Sequence, residues 1–237
     1  IGSALRAATQ GLPMKGILSS ETRPPYFLIA RPEFKTVAEL KGKAIGVNAI
    51  QGTTHILLKE ILKANGMDPE KDVVPMPITS SPTRLQSVVG GASQATMLDV
   101  VLAIRAEKQG LRILASSAEI SQRLMGGIAT SDKRIKENPD QVLRFVRGYV
   151  KALKYVVDPK NRDEIIQIVA KEMELPVEEA IRVYELGGIA RFVADGDVPE
   201  ELVKLEVEDA KVELKVTKDV PVSQVFDYSF VKKAKER

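Results

Sequence analysis

The pattern of apolar and polar positions changes character along the chain. Before residue 43 the apolar runs are short and separated by turn residues. Leu5–Gln10 reads as the end of a short helix, stopped at Gly11 with Pro13 just beyond. Lys15–Ser19 is a brief apolar run that enters the polar turn Ser19-Ser20-Glu21-Thr22. Pro24-Pro25 then forces an extended entry into Tyr26–Ala30, a strand candidate. Phe34–Leu40 reads as a helical turn that Gly42 breaks.

From Lys43 to Ser117 the pattern is regular. Ala44–Val47 is a short apolar strand. Gly52-Thr53-Thr54 follows, then an amphipathic helix from His55 to Ala64 with Ile56, Leu57, Ile61 and Leu62 at helical spacing. Val73–Ile78 is the next strand, and Ser81 is the expected N-cap of a helix with Pro82 at its first position. Ala95–Leu98 is a strand, Asp99 opens a helix to Gln109, and Arg112–Ser117 is a further strand. Strands alternating with helices through short loops predict an α/β fold with a parallel sheet and helices on its faces. After the strand candidate Gly126–Thr130 the chain is nearly all helix. Asn138-Pro139 opens a helix to Val157, Asn161–Glu172 and Pro176–Leu186 follow, Glu200–Val216 is a helix broken by β-branched residues, and Ser229–Glu236 closes the chain. No internal repeat of fixed period is present.

Composition narrows the function classes. The 237 residues correspond to one large or two small domains. Hydrophobic residues at 44% and charged residues at 28% exclude disordered, collagen-like and coiled-coil chains. With no Cys and 1 His, disulfides, Cys-based zinc sites and His-rich metal sites are excluded, and no cofactor or metal is expected. The net charge of +3 is carried by the tail Val231–Arg237, where Lys232, Lys233, Lys235 and Arg237 outnumber Glu236. The body is therefore neutral by count and offers no field for nucleic acid or membrane. The longest charge-free stretch, Ala44–Leu58, is too short and too polar to span a bilayer.

In open α/β sheets ligands bind at the carboxyl ends of strands. Three hydroxyl-rich loops fall at such ends: Ser19-Ser20-Glu21-Thr22, Gly52-Thr53-Thr54-His55 and Thr79-Ser80-Ser81-Pro82-Thr83. The second and third open helices, whose free N–H groups and partial positive charge suit an anion or polar head group. The glycine spacing matches neither a P-loop nor a dinucleotide fingerprint. His55 either faces a cleft or is a partly exposed polar residue, and Asp99 is either a helix cap or a ligand contact. No nucleophile–base pair and no Gly-x-Ser-x-Gly elbow is present, so no enzyme activity is expected. With 6 Phe, 5 Tyr and no Trp, a carbohydrate cleft built on stacked rings is disfavoured.

Several segments together carry a resemblance. Phe34–Val47, with its Leu40-Lys41-Gly42-Lys43 entry into a strand, resembles solute-binding proteins of ABC transporters, of the nitrate/sulfonate/taurine type. This fold is shared with thiamine-pyrimidine synthases. Gly52-Thr53-Thr54-His55, the stretch Gly91–Asp99, the Asn138-Pro139 helix and Val225–Phe230 extend the resemblance over nearly the whole chain. It implies a type II periplasmic-binding-protein-like architecture of two α/β lobes joined by hinge strands near 26–31 and 126–130. The first lobe would be 1–30 with 124–237, and the second 31–123, with its core at 43–117. It further implies capture of a small polar or anionic organic solute in an inter-lobe cleft. The solute would be a sulfonate, nitrate, taurine or thiamine-precursor-like molecule. A membrane permease would receive it from a monomeric, extracytoplasmic protein, periplasmic or membrane-anchored. The resemblance assigns ligand contacts to Ser19, Ser20 and Glu21 in the first lobe. In the second it assigns them to Gly52, Thr53, Thr54, His55, Thr79, Ser80, Ser81 and Asp99. Glu21 and Asp99 would serve as acceptors, which suits a ligand carrying an amine or ring N–H. The segment Met97–Val101 lacks the aromatic or proline that the family often places there. The alternatives are a synthase-like enzyme, against which the absence of Cys argues, and a ligand-sensing domain of a signalling protein. Against this family the chain is expected to lack about two βα units, on the order of 60 residues, at its start.

Overall fold

The computed structural model describes residues 1–188 and 191–236. In chain order the helices and strands are α1 (Gly2–Thr9), β1 (Met14–Ser19), β2 (Tyr26–Ala30), β3 (Ala44–Val47), α2 (Thr53–Ala64), β4 (Val74–Pro77), α3 (Ser81–Val89), β5 (Ala95–Asp99), α4 (Val100–Lys108), β6 (Arg112–Ser116) and α5 (Ser117–Ile120). They continue as β7 (Gly127–Ser131), α6 (Asp132–Glu137), α7 (Pro139–Val157), α8 (Arg162–Glu172), α9 (Val177–Gly187), α10 (Glu200–Leu214), α11 (Val222–Val225) and α12 (Ser229–Lys235). The chain forms two compact units. The first comprises residues 1–24, 122–165 and 189–237, and the second residues 25–121 and 166–188.

The second unit is built on a five-stranded sheet of order β4-β3-β5-β2-β6. β3 runs parallel to β4 and β5, whereas β2 runs antiparallel to both β5 and β6. The expected parallel sheet is therefore a mixed one, because β2 inserts between β5 and β6. Its alternation explains the insertion. Leu28 and Ala30 enter one core layer with Ile45, Val47, Leu57, Ile61 and Met97, and Phe27 and Ile29 enter another with Leu85, Leu98, Ala103 and Ile104. A strand apolar on both faces is stable only in a sheet covered on both sides. Tyr26–Ala30, at the place of the expected hinge strand near 26–31, is thus a central strand of the second unit. Residues 166–188 also belong here, contrary to the expected boundary. Leu175 and Val183 pack into the layer under α4, and Lys108–Glu179 (2.8 Å) and Arg182–Glu107 (3.0 Å) join α9 to α4 at the surface.

The first unit has a two-stranded antiparallel ribbon, β1 with β7. One core layer joins Leu5, Ala8, Val203, Val207, Val225 and Phe226, and another joins Ile17, Leu18, Val146, Val150 and Phe230. At Gly16 a side chain would meet the Phe226 ring at 2.7 Å, so glycine is what lets that ring lie against β1.

Several element ends differ from expectation. α2 starts at Thr53, two positions earlier, and α10 runs unbroken to Leu214 because Val203 and Val207 bury on one face. Phe34–Leu40 reduces to a 3-10 turn at Ala38–Leu40. Ser117 begins α5 instead of ending β6. The basic tail residue Arg237 lies outside the described residues.

Candidate functional site

In the second unit β3, β4, β5 and β6 point the same way, so their carboxyl ends share one edge with the start of the antiparallel β2. Three of the loops there open helices of eight residues or more, and none of α2, α3 or α4 has an acidic side chain in its first turn.

The β3–α2 loop is held by its own side chains. Thr54, 2% exposed, accepts the Asn48 N–H (2.8 Å) and donates its hydroxyl to Asn48 Oδ1 (2.7 Å). His55 Nδ1 accepts the Gln51 N–H at 2.9 Å, which puts the proton of the neutral ring on Nε2. Gln51 has a left-handed backbone (φ 63°), a conformation that costs free energy in a residue with a Cβ and that this bond helps to hold. Burial, and then nearby Lys59, push the His55 pKa down. Gly52 is required by close approach, since a Cβ there would lie 2.6 Å from Asn48 Oδ1. Thr54 and His55 therefore shape the loop from inside. Thr53 is half-buried at the first turn of α2, where its N–H has no intrahelical acceptor.

The β4–α3 loop presents exposed Thr79 and Ser80. The N-cap of α3 is Ser80, not Ser81: Ser80 Oγ accepts the Thr83 N–H at 3.4 Å. The Ser81 hydroxyl instead accepts from Arg84 Nη2 (2.7 Å). Asp99 caps α4 through the Leu102 N–H (3.1 Å) and stands opposite Tyr26 in the β2–β5 ladder.

Two residues at this edge escaped sequence reading. Arg84 is 2% exposed and donates to the carbonyls of Met97 (3.1 Å), Ile78 (2.9 Å) and Thr79 (3.0 Å). Burial pushes its pKa down, partly offset by Tyr26 and Asp99. The available signal was a charged residue on the apolar face of α3, four positions before buried Val88. Tyr26 supplies an aromatic ring where Met97–Val101 has none. Its backbone is fixed by Ser117, whose hydroxyl donates to the Tyr26 carbonyl (2.8 Å). Burial, and then Asp99, raise the phenol pKa, so Tyr26 stays a neutral donor at physiological pH.

In the first unit Ser19 and Ser20 are buried at the end of β1. Ser19 Oγ donates to the Gly126 carbonyl (2.9 Å), and that carbonyl also accepts the Ser20 N–H (3.0 Å). Glu21 bridges to Phe192 in the backbone, and its carboxylate lies 3.7 Å from Arg191 Nε. Arg191 sits over the Phe192 ring at 4.7 Å. Ser19, Ser20 and Glu21 are thus brought together with a cation that sequence reading did not single out. Among the described residues no cluster of His, Asp and Glu can hold a metal ion.

Residues 2–162 match the protein family described as NMT1/THI5 like. The riboflavin-binding protein RibY of Chloroflexus aurantiacus is 30% identical over 156 residues, which is 64% of this chain and 43% of RibY. The chain spans less than half the length of that relative. Among solved structures, the putative periplasmic sulfonate-binding protein SsuA of Methylobacillus flagellatus KT superposes with a TM-score of 0.78 at 17% identity, covering 97% of this chain and 71% of SsuA. The periplasmic nitrate-binding protein NrtA of Synechocystis PCC 6803 gives 0.74 at 14% identity, covering 99% and 72%. The desulfurization enzyme DszB gives 0.73 at 14%, covering 98% and 83%. The fold is thus that of the periplasmic binding proteins, and an enzyme shares it.

Proposed function

This chain belongs to the NMT1/THI5-like family, and on that premise we propose that it is the solute-binding component of an ABC importer, extracytoplasmic and delivering its ligand to a membrane permease. The observation that carries this reading is the concentration of polar loops, the starts of α2 and α3 with no acid at the cap or in the first turn, Tyr26 and Asp99 on one edge of the second unit's sheet. Loops at the carboxyl ends of strands are where open α/β sheets take ligands. The solute is a small polar organic molecule, read by backbone N–H groups and by the Thr53, Thr79 and Ser80 hydroxyls. Asp99 accepts from any amine or ring N–H, and Tyr26 offers a ring face to a planar ligand. Thr54 and His55 act indirectly, by fixing the loop that carries Thr53. No helix among the described residues is long and apolar enough to cross a membrane.

The test is a ligand screen by thermal shift with riboflavin, an aminopyrimidine, taurine, ethanesulfonate and nitrate. A solute that binds only the native state raises the midpoint in proportion to the logarithm of its concentration. A saturable rise with one of these solutes, returned unchanged by mass spectrometry, supports binding without catalysis. Chemical conversion of the solute would favour the enzyme alternative that DszB exemplifies, and no shift with any of them would overturn the reading.

A further inference from the structure

Charges counted along the chain leave its body neutral, but the fold sorts them within the first unit. The acids Glu200, Glu206, Glu208, Asp209 and Glu213 of α10 are ion-paired, with Lys204, Arg123, Lys211, Arg123 and Arg6 in turn. α7 is the reverse. Arg144, Arg147, Lys151 and Lys154 form no ion pair among the described residues, and the one acid of this helix is Asp140 in its first turn. The Arg147 Nε is buried and has no acceptor. The unit therefore answers its acidic helix from within and leaves its basic helix without counter-charges.

The four cations are spaced three or four residues apart, which puts them on one stripe of the helix. Val142, Val146, Val150 and Leu153 hold another stripe in the core, so the basic stripe is fixed in place at the surface. Beside it, at the same spacing, run Phe145, Gly148, Ala152 and Tyr155, all exposed. Phe145 is 53% exposed and Tyr155 38%. A Cβ at Gly148 would meet nothing, so the surface between the two rings is low and open. α12 lies against α7 and adds exposed Lys232 and Lys233 to the same unit. Long basic side chains next to exposed rings are the make-up of helices that lie at a membrane–water interface.

We propose that the exposed face of α7 is a docking surface for an anionic lipid bilayer. The phosphate headgroups of acidic phospholipids meet Arg144, Arg147, Lys151 and Lys154, and the Phe145 and Tyr155 rings sit at headgroup level. Charge complementarity selects an anionic partner. The aromatic stripe selects a bilayer over a nucleic acid duplex, whose phosphate surface offers nothing apolar to Phe145. The choice of a membrane rests on the importer reading above, whereas the surface itself needs no solute.

The experiment sediments the full chain with vesicles of phosphatidylcholine alone, and with vesicles of phosphatidylcholine and phosphatidylglycerol in equal parts. Wild type should bind the anionic vesicles only. Raising salt from about 0.01 M to about 0.1 M, which shortens the Debye length from about 30 Å to about 10 Å, should weaken that binding. A cation near an anionic surface is worth about fivefold in affinity, so Arg144→Gln/Lys151→Gln/Lys154→Gln should lose about a hundredfold. Lys35→Gln/Lys63→Gln/Arg105→Gln removes three exposed cations of the second unit, has the same net charge, and should bind as wild type does. If the first triple variant fails to fold, Lys151→Gln alone should still lose about fivefold against Lys63→Gln. Equal losses in the two triple variants would reduce the effect to net charge and overturn the proposal. No binding to anionic vesicles at low salt would overturn it too. So would duplex DNA that strips the protein from the vesicles while Phe145→Ala binds them as wild type does, the mark of a nucleic acid surface. Vesicle binding with no response in the solute screen would keep this surface and remove the importer reading, so the two can fail separately.

Discussion

Among the described residues each compact unit buries one charged side chain, and the two are accommodated in opposite ways. In the first unit Glu206 is 8% exposed and lies 3.7 Å from Arg123, which also pairs with Asp209. In the second unit Arg84 is 2% exposed and is met only by dipoles. Burial raises the Glu206 pKa and Arg123 pulls it back, whereas burial lowers the Arg84 pKa with only distant relief. A charge answered by a counter-charge becomes an internal staple with little field beyond it. A charge answered by carbonyls keeps its field, and the peptide groups that solvate it must turn their N–H ends elsewhere. The first solution suits a helix joint such as that of α10. The second suits a loop at a sheet edge.

The largest expected effects separate the two solutions. Arg123→Ala leaves Glu206 buried without its partner and should cost about 3 kcal/mol. Arg84→Met strips donors from the Ile78, Thr79 and Met97 carbonyls and should also cost about 3 kcal/mol. The difference lies in rescue. Glu206→Gln added to Arg123→Ala should restore most of the loss, because both charges are then gone. Asp99→Asn added to Arg84→Met should restore none. Denaturant unfolding of the single and double variants measures both couplings, and rescue of Arg84→Met by Asp99→Asn would make Asp99 an ion-pair partner and end the contrast.

The same contrast shows what was legible in the chain. The strand–helix alternation between Lys43 and Ser117 could be read because each loop is short and each helix has a cap or a glycine stop. The place of β2 could not, since an apolar run such as Phe27-Leu28-Ile29 carries no record of which strands it lies between or in which direction it runs. Nor could residues 166–188, whose Leu175 and Val183 suit any apolar layer of the right width. At the site, hydroxyl loops at strand ends were legible from composition alone. That Thr54 and His55 turn inward was not, because it depends on Asn48 and Gln51 needing partners for their backbone N–H groups. Arg84 was hidden for a similar reason: its acceptors are main-chain carbonyls, which leave no mark in a sequence.

Acidification should move the units in opposite directions, by less than the substitutions above. The His55 pKa in the folded chain lies below its ordinary 6.5, so its contribution is fully present above that pH and is lost as pH falls through the folded value. The Glu206 pKa lies above its ordinary 4.5, so its contribution is fully present below that pH and is lost as pH rises through the folded value. Hydrogen exchange followed segment by segment should therefore show this second-unit contribution weakening below 6.5, while the Glu206 contribution strengthens toward 4.5. His55→Gln keeps an acceptor for the Gln51 N–H and should flatten the acid slope of the second unit only. Glu206→Gln should flatten that of the first unit only. A change of slope in the wrong unit would show that other groups dominate.

The smallest effects test whether a helix start matters to its unit as a whole. Ser80 caps α3 in the second unit, and Ser131 caps α6 in the first through the Arg134 N–H (3.2 Å). Loss of either cap should cost about 0.5–1 kcal/mol at its own helix. α3 buries Arg84, Leu85 and Val88, so its first turn is tied to the sheet. α6 buries no residue. Ser80→Ala should therefore lower the global unfolding midpoint, whereas Ser131→Ala should speed exchange within α6 and leave the midpoint where it was. A cap is worth its full value to a fold only when the helix it opens carries part of the core, and equal midpoints for the two variants would show that α3 frays as freely as α6.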